Sequence, residues 1–182
     1  MSEAMDRWEL AATRFDAVIQ SAPADQWKTP SNCEGWLARD IVVHVVGNHR
    51  GTAAQATGGE PTAVGTDEDI VVAWADAVDQ IRALAKDPAM LATEVRGPAG
   101  PLPLEDMLGG VMAMDTHVHT WDLAKTFGAS VTLDPGLIAL TMNMLGPVDE
   151  MIRRRGVFAA KIEPPADADE QTKMLCFLGR QP

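Results

Sequence analysis

Asp115 and His119 are metal-competent side chains separated by one helical turn, which sets them about 40° apart around a helix axis and on a single face. Joined by a third donor from elsewhere in the chain, such a pair can hold a divalent cation and leave one position for water or substrate, the arrangement of catalytic zinc sites. His117 falls on nearly the opposite side of the same helix, so the two histidines of His117-Val118-His119 cannot both reach one centre. The apolar residues Leu104, Leu108, Val111 and Val118 share the arc of Asp115. An ionised carboxylate in a packing stripe costs several kcal/mol unless something compensates it. A buried carboxylate–histidine hydrogen bond, or an irregular stretch that turns Asp115 to solvent, would meet that demand without a metal. The spacing alone is a weak motif, and a cation held by Asp115, His119 and a residue of another helix is the sharper reading.

The element that positions the pair is a helix expected over Leu104 to Phe127. Pro103 precedes it, Glu105 and Asp106 complement the positive end of its dipole, Lys125 the negative end, and Gly128 offers a left-handed stop. A third donor is sought in a helix expected over Leu37 to Ala56, with Ser31 or Asn32 as its cap. There Leu37, Ile41 and Val45 form the buried stripe, with His44 about 60° from its centre and His49 about 80° off on the other side. Periodicity slightly favours His44 as the inward histidine, although a lone histidine at the edge of an apolar face is commonly a boundary residue.

Around these two elements the pattern is helical throughout. Trp8, Ala11, Ala12, Phe15, Val18 and Ile19 recur at helical spacing in a first helix over Glu3 to Gln20, and Trp27 in the following loop lies over the core. A third helix over Asp67 to Lys86, capped by Thr66 with Asp69 as its partner, turns Ile70, Trp74, Ala77, Val78 and Ile81 inward. Pro88 to Pro103 reads as an irregular linker carrying a solvated Arg96. A helix from Pro135 to Arg155, capped by Asp134 or Thr132 and divided at Pro147, ends in Arg153-Arg154-Arg155, which serves either the helix terminus or an anion. A short extended piece over Phe158 to Glu163 and a closing helix before Gly179 complete the chain. The expected organisation is a helical bundle over 1–155 and an extension over 156–182 packing on it.

With 182 residues, 46% of them apolar, one main domain is expected. The formal net charge of −11, from 26 acidic and 15 basic residues, disfavours phosphate backbones and anionic lipid surfaces, so neither nucleic acid nor membrane is an expected partner. Met1 to Glu9 is charged rather than apolar, and no run approaches the roughly 18 apolar residues of a membrane span, which predicts a cytoplasmic protein. Cys33 and Cys176 lie far apart and outside any C-x-x-C pair, so reduced thiols are expected rather than a disulfide. No phosphate-cradling glycine loop or nucleophile elbow is present.

Three stretches together resemble a known group. Thr29-Pro30-Ser31-Asn32-Cys33-Glu34-Gly35-Trp36 followed by Asp40, Ile41 and His44 resembles the second-helix signature of the DinB-like proteins related to mycothiol-dependent maleylpyruvate isomerase. His119-Thr120-Trp121-Asp122-Leu123-Ala124 resembles the central helix motif of that group, and Cys176-Phe177-Leu178-Gly179-Arg180-Gln181-Pro182 resembles the terminus of a metal-binding branch of it. The resemblance implies an all-α fold, an antiparallel four-helix bundle with long crossover connections and a short C-terminal extension. It also implies His44, Asp115 and His119 as ligands of a divalent metal, Zn2+ first among the candidates and Ni2+ or another divalent ion after it. Where the isomerase carries glutamate four residues before the motif histidine, this chain has Asp115, shorter by one methylene.

The activity so implied is transfer or isomerisation with a low-molecular-weight thiol cosubstrate, mycothiol or bacillithiol, acting on a small-molecule substrate. On that resemblance, a counterpart of the isomerase's separate C-terminal domain is not expected in this sequence. Metal-assisted hydrolysis and a non-catalytic metal- or small-molecule-binding bundle are the rival readings, and a homodimer is compatible with all three. Asp122, on the arc of Asp115, can orient His44 or His119 or simply make an interhelical hydrogen bond. The sequence leaves the catalytic residues themselves unassigned.

Overall fold

Helix α1 (Glu3–Ser21) is nucleated by Ser2, whose hydroxyl accepts the Met5 N–H, and by acidic Glu3 and Asp6 in its first turn. Its inward face carries Trp8, Phe15 and Ile19, all essentially fully buried. These large apolar side chains contribute about 1.5–3 kcal/mol each when removed from water. They meet α2 (Ala38–Thr57), α3 (Ile70–Leu84) and α6 (Ala113–Thr126). Contacts run from α1 to α6, α6 to α2, α2 to α3 and α3 back to α1, so the four helices close a ring around one core. Within it, Phe15 meets Trp74 edge to face with ring centroids 5.0 Å apart, the geometry aromatic quadrupoles favour.

The structure is a computed structural model that describes residues 2–154, 156 and 158–182. The fold is mostly helical, as the patterning predicts. It divides into two compact units, Met1–Val131 and Thr132–Pro182. The division precedes α7 (Pro135–Leu145), which the sequence groups with the first unit. Its partner is α9 (Glu170–Phe177), against which it packs. In the second unit a short 3-10 turn, Gly146–Val148, separates α7 from α8 (Asp149–Arg154) at Pro147. Arg153 there donates to the Ala159 and Phe177 carbonyls and lies over the Phe177 ring, which is a structural use of the basic run. Arg155 lies outside the described residues. The segment expected to extend over Phe158 to Glu163 forms no strand among the described residues; its Ile162 N–H pairs instead with the Cys176 carbonyl. No helix is long and apolar enough to cross a membrane among the described residues.

The helix that carries Asp115 and His119 is continuous but not uniform. It begins as α5 (Leu104–Met107), passes through a π-helical segment at Leu108–Met112, and continues as α6. The wider turn coincides with Gly109, where a Cβ would lie 2.5 Å from the Ala4 backbone of α1, so only glycine lets the two helices approach this closely. A π-turn adds a residue to the helical repeat and shifts the phase of the stripe. Met112 is buried as a result, and Val111, assigned to the stripe from its spacing, is only partly covered. Gly128 closes the helix with φ of 70°, the left-handed stop expected of it.

Other local expectations are corrected. Thr66 does not cap α3; Asp69 does, accepting the Val71 and Val72 N–H groups. Asp69→Ala is therefore expected to lower stability by about 1 kcal/mol, read as a shifted urea midpoint, whereas Thr66→Ala leaves it unchanged. Neither Ser31 nor Asn32 caps α2, since the chain first forms a bridge between Pro30 and Leu37 and the helix starts afterwards, with Asp40 accepting the Leu37 N–H. Residues 88–103 are not irregular. They form the short helix α4 (Pro88–Leu91) and a hairpin of β1 (Glu94–Gly97) and β2 (Gly100–Pro103). Pro101 and Pro103 face Arg96 and Glu94, alternate positions whose nitrogens a two-stranded ladder does not require as donors. Arg96 stays exposed there.

Candidate metal centre

His44 stands on α2 and Asp115 and His119 on α6, and the packing of these helices brings the three together: each offers one donor atom, and all these atoms lie within 4.8 Å of one another. Nε2 of His44 is 3.3 Å from Oδ1 of Asp115, and Nε2 of His119 is 3.6 Å from that same oxygen. Ligands on a tetrahedral ion at bond lengths of about 2.0–2.1 Å are separated by roughly 3.3 Å, so the spacing fits a shared divalent cation. His44 and Asp115 keep 33% and 25% of their side chains exposed, so the cluster opens to solvent.

Of the residues that support the cluster, the sequence pointed only to Asp122. Nδ2 of Asn48, one turn after His44, donates to Oδ2 of Asp115 over 3.0 Å and lies 3.1 Å from Nε2 of His44. This bond turns the other oxygen of the short Asp115 carboxylate toward the histidines. Trp36 stacks on His119 with a centroid separation of 6.0 Å and lies 5.1 Å from His44, covering both rings from the loop before α2. Asp122 is fully buried, with Oδ2 at 2.9 Å from Nδ1 of His119, on the ring edge away from Asp115. Asn32, read from sequence as a cap, instead donates to Oδ1 of Asp122 over 2.7 Å. Asp122 was legible because it lies three residues from His119 on one helix; the spacing of His44 and Asn48 is the signal that could have found Asn48, whereas Trp36 and Asn32 depend on contacts between segments remote in sequence.

Charge in the cluster is mutually reinforcing. Burial works against a charged His44, yet the hydrogen bond to Asp115 and its negative charge prevail and raise the His44 pKa. Burial likewise disfavours the Asp115 anion, but His119, then His44 and Asn48, hold its pKa below the ordinary aspartate value. The remaining histidines stand apart. His117 is fully buried and is not one of the three donors. His49 is also fully buried, its Nε2 accepting from Trp8 Nε1 over 3.2 Å and its Nδ1 facing the Val45 carbonyl at 2.8 Å. It is a core residue, pushed down to a pKa of about 4 by burial.

The chain is thus a mostly helical protein with a solvent-open histidine–carboxylate cluster between α2 and α6. The family model of the mycothiol maleylpyruvate isomerase N-terminal domain matches residues 8–124, and the chain is a member of that family. Two uncharacterized proteins of Mycobacterium tuberculosis, from the CDC 1551 / Oshkosh and ATCC 25618 / H37Rv strains, are each 28% identical over 178 residues, covering 94% of this chain and 94% of the relative. Among solved structures, a histidine-to-alanine mutant of mycothiol-dependent maleylpyruvate isomerase superposes with a TM-score of 0.63 at 14% identity. That match covers 87% of this chain and 72% of the other. At that identity the match speaks for the fold.

Proposed function

We propose that this chain is a divalent-metal-dependent enzyme that uses a low-molecular-weight thiol of the mycothiol type, as an S-transferase or isomerase, with His44, Asp115 and His119 as its metal ligands. The observation that carries this reading is the convergence of Nε2 of His44, Oδ1 of Asp115 and Nε2 of His119 at ligand-to-ligand spacing on a solvent-open edge of the bundle. The family's name supplies the thiol. A divalent ion bound by these residues, Zn2+ above others, supplies Lewis acidity that lowers the pKa of a thiol into the neutral range.

The rest is work for the chain's own residues. Asn48 fixes the rotamer of Asp115, so a carboxylate one methylene shorter than the family glutamate still presents Oδ1 between the imidazoles. Asp122 stands at Nδ1 of His119 and there favours the tautomer whose Nε2 is bare and available as a ligand. Trp36 shields the two rings on one side, which confines approach of thiol and substrate to the exposed flank of His44 and Asp115.

The test is metal analysis and a thiol-transfer assay on the full chain and on His44→Ala. The wild type is expected to hold about one ion per chain and to transfer thiol to a small electrophile, and the variant to lose both. Metal content unchanged in His44→Ala removes the ligand assignment. Turnover that persists without thiol assigns hydrolysis in its place.

A further inference from the structure

The π-helical segment Leu108–Met112 ends just before the first turn of α6, which carries Asp115, and α1 holds that segment from outside. Nε of Arg7 donates to the Gly109 carbonyl over 2.9 Å. One turn earlier on the same face of α1, the Ala4 backbone lies where a Cβ on Gly109 would meet it at 2.5 Å. Arg7 is held in its turn by Glu3, whose Oε1 accepts from Nη1 over 2.8 Å. A π-turn is rare and breaks the regular carbonyl ladder, so a side-chain donor on one of its carbonyls stabilises it.

Each residue of an α-helix advances the chain by about 100°, and the extra residue of a π-turn sets everything after it back by about that angle. Leu104 and Leu108, both fully buried, fix the helix before and at the start of the turn. The direction of Asp115 is therefore set by the turn. Relaxed to a regular α-helix, the same chain would swing the Asp115 Cα by about 3.5 Å around a helix of about 2.3 Å radius. The contacts of its carboxylate with Asn48 at 3.0 Å and His44 at 3.3 Å do not survive a displacement of that size.

We propose that Arg7 is a positioning residue of the metal centre, acting through the Gly109 carbonyl on the π-turn and through the turn on the direction of Asp115. Its polar partners are Glu3 and Gly109, and none of the three ligands is among them. The consequence for metal binding rests on the functional reading above, whereas the placement of Asp115 beside Asn48 belongs to the metal-free chain and stands without that reading. A residue that only tied α1 to the bundle would lower stability and leave Asp115 where it is.

The test compares three variants of the full chain. Arg7→Met keeps the apolar stem and removes the donor, Arg7→Lys keeps a donor, and Asp69→Ala weakens the fold at the cap of α3. The Arg7 side chain is 32% exposed, so its replacement is expected to leave the chain folded. In metal-free wild type, a nuclear Overhauser contact is expected between the Asn48 amide protons and the Asp115 β-protons. Arg7→Met is expected to lose it, and Arg7→Lys and Asp69→Ala to keep it. Cobalt affinity is expected to fall about tenfold in Arg7→Met and to change by less than about twofold in the other two. An Overhauser contact that persists in Arg7→Met overturns the proposal, and so does a loss of cobalt affinity in Asp69→Ala as large as that in Arg7→Met, which assigns the effect to stability. Wild type that shows the contact but binds no cobalt sinks the functional reading alone, and the role of Arg7 is then decided by the contact in Arg7→Met.

Discussion

His119→Ala is expected to bind no divalent ion at the cluster and to be less stable by about 2–3 kcal/mol than the wild type even in the presence of a chelator. The first effect follows because His119 supplies one of the three donor atoms of the cluster. The second follows from Asp122. That carboxylate is fully buried and lies 2.9 Å from the His119 ring, so the substitution takes an imidazole away from a group that cannot regain water. Removing one partner of a buried, charge-assisted contact is far more damaging than never having built it, because the remaining charge stays desolvated. Asn32 keeps its bond to Oδ1 of Asp122, which places the expected loss below the upper end of such measurements. Urea denaturation of metal-free wild type, His119→Ala and the double variant His119→Ala/Asp122→Ala checks it. The double variant should recover part of the loss, since it no longer strands a buried carboxylate. A single variant as stable as the wild type, or a double variant that adds the two losses in full, contradicts the account.

How much of this was readable before the fold is clear from particular residues. The faces of α1 and α3 obey the helical repeat without interruption, so Trp8, Phe15, Trp74 and Ile81 all lie where periodicity puts them. The pairing of Asp115 with His119 was legible for a narrower reason. Both residues lie beyond the π-helical segment, and their mutual phase is untouched by it. Val111 lies inside that segment, and the regular repeat misassigned it. Nothing in the local sequence announces a π-turn except the Gly109-Gly110 pair, whose meaning becomes visible only when α1 is laid against it. The hairpin was concealed by three prolines that ordinarily argue against strands, although two of them occupy places where a ladder asks for no donor.

The contrast is sharpest among the polar residues. His44 was found because it shares a helix face with apolar neighbours, and Asp122 because it lies on the arc of Asp115, but Asn48 and Asn32 act through hydrogen bonds that depend on how α2, its preceding loop and α6 are docked. Asn32 looked like a cap because asparagine is a good one. The bridge between Pro30 and Leu37 moved the helix start past it and released its amide for Asp122.

Acid is expected to weaken the metal-free fold through His49, by about 2.5 kcal/mol between pH 7 and pH 4.5. The neutral ring satisfies both of its neighbours, Nε2 accepting the Trp8 indole N–H and Nδ1–H donating to the Val45 carbonyl. Protonation would put a new N–H against that indole N–H, inside a core with no water to separate them, where Trp74 also packs against the ring. Burial is the largest influence, outweighing the Val45 carbonyl and the charge of Asp115, and it lowers the pKa from 6.5 to about 4. Because the folded value is depressed, the unfolded chain binds the extra proton first. The contribution is therefore fully present above about pH 6.5 and lost as pH falls toward 4. His44 acts with the opposite sign in a higher window. Its raised folded pKa stabilises below 6.5, and that contribution fades only as pH rises through the folded value. Asp115, with its value lowered from 3.8, loses its contribution only in stronger acid. The difference between the wild type and His49→Gln from pH 6.5 to 4.5 thus isolates His49 from the other titrating groups. Urea midpoints for wild type and His49→Gln across it, taken with chelator present, should converge as pH falls, because glutamine keeps an acceptor for Trp8 but has no proton to gain. Parallel curves would mean that His49 takes up its proton equally in the folded and the unfolded chain, and would remove the core assignment with it.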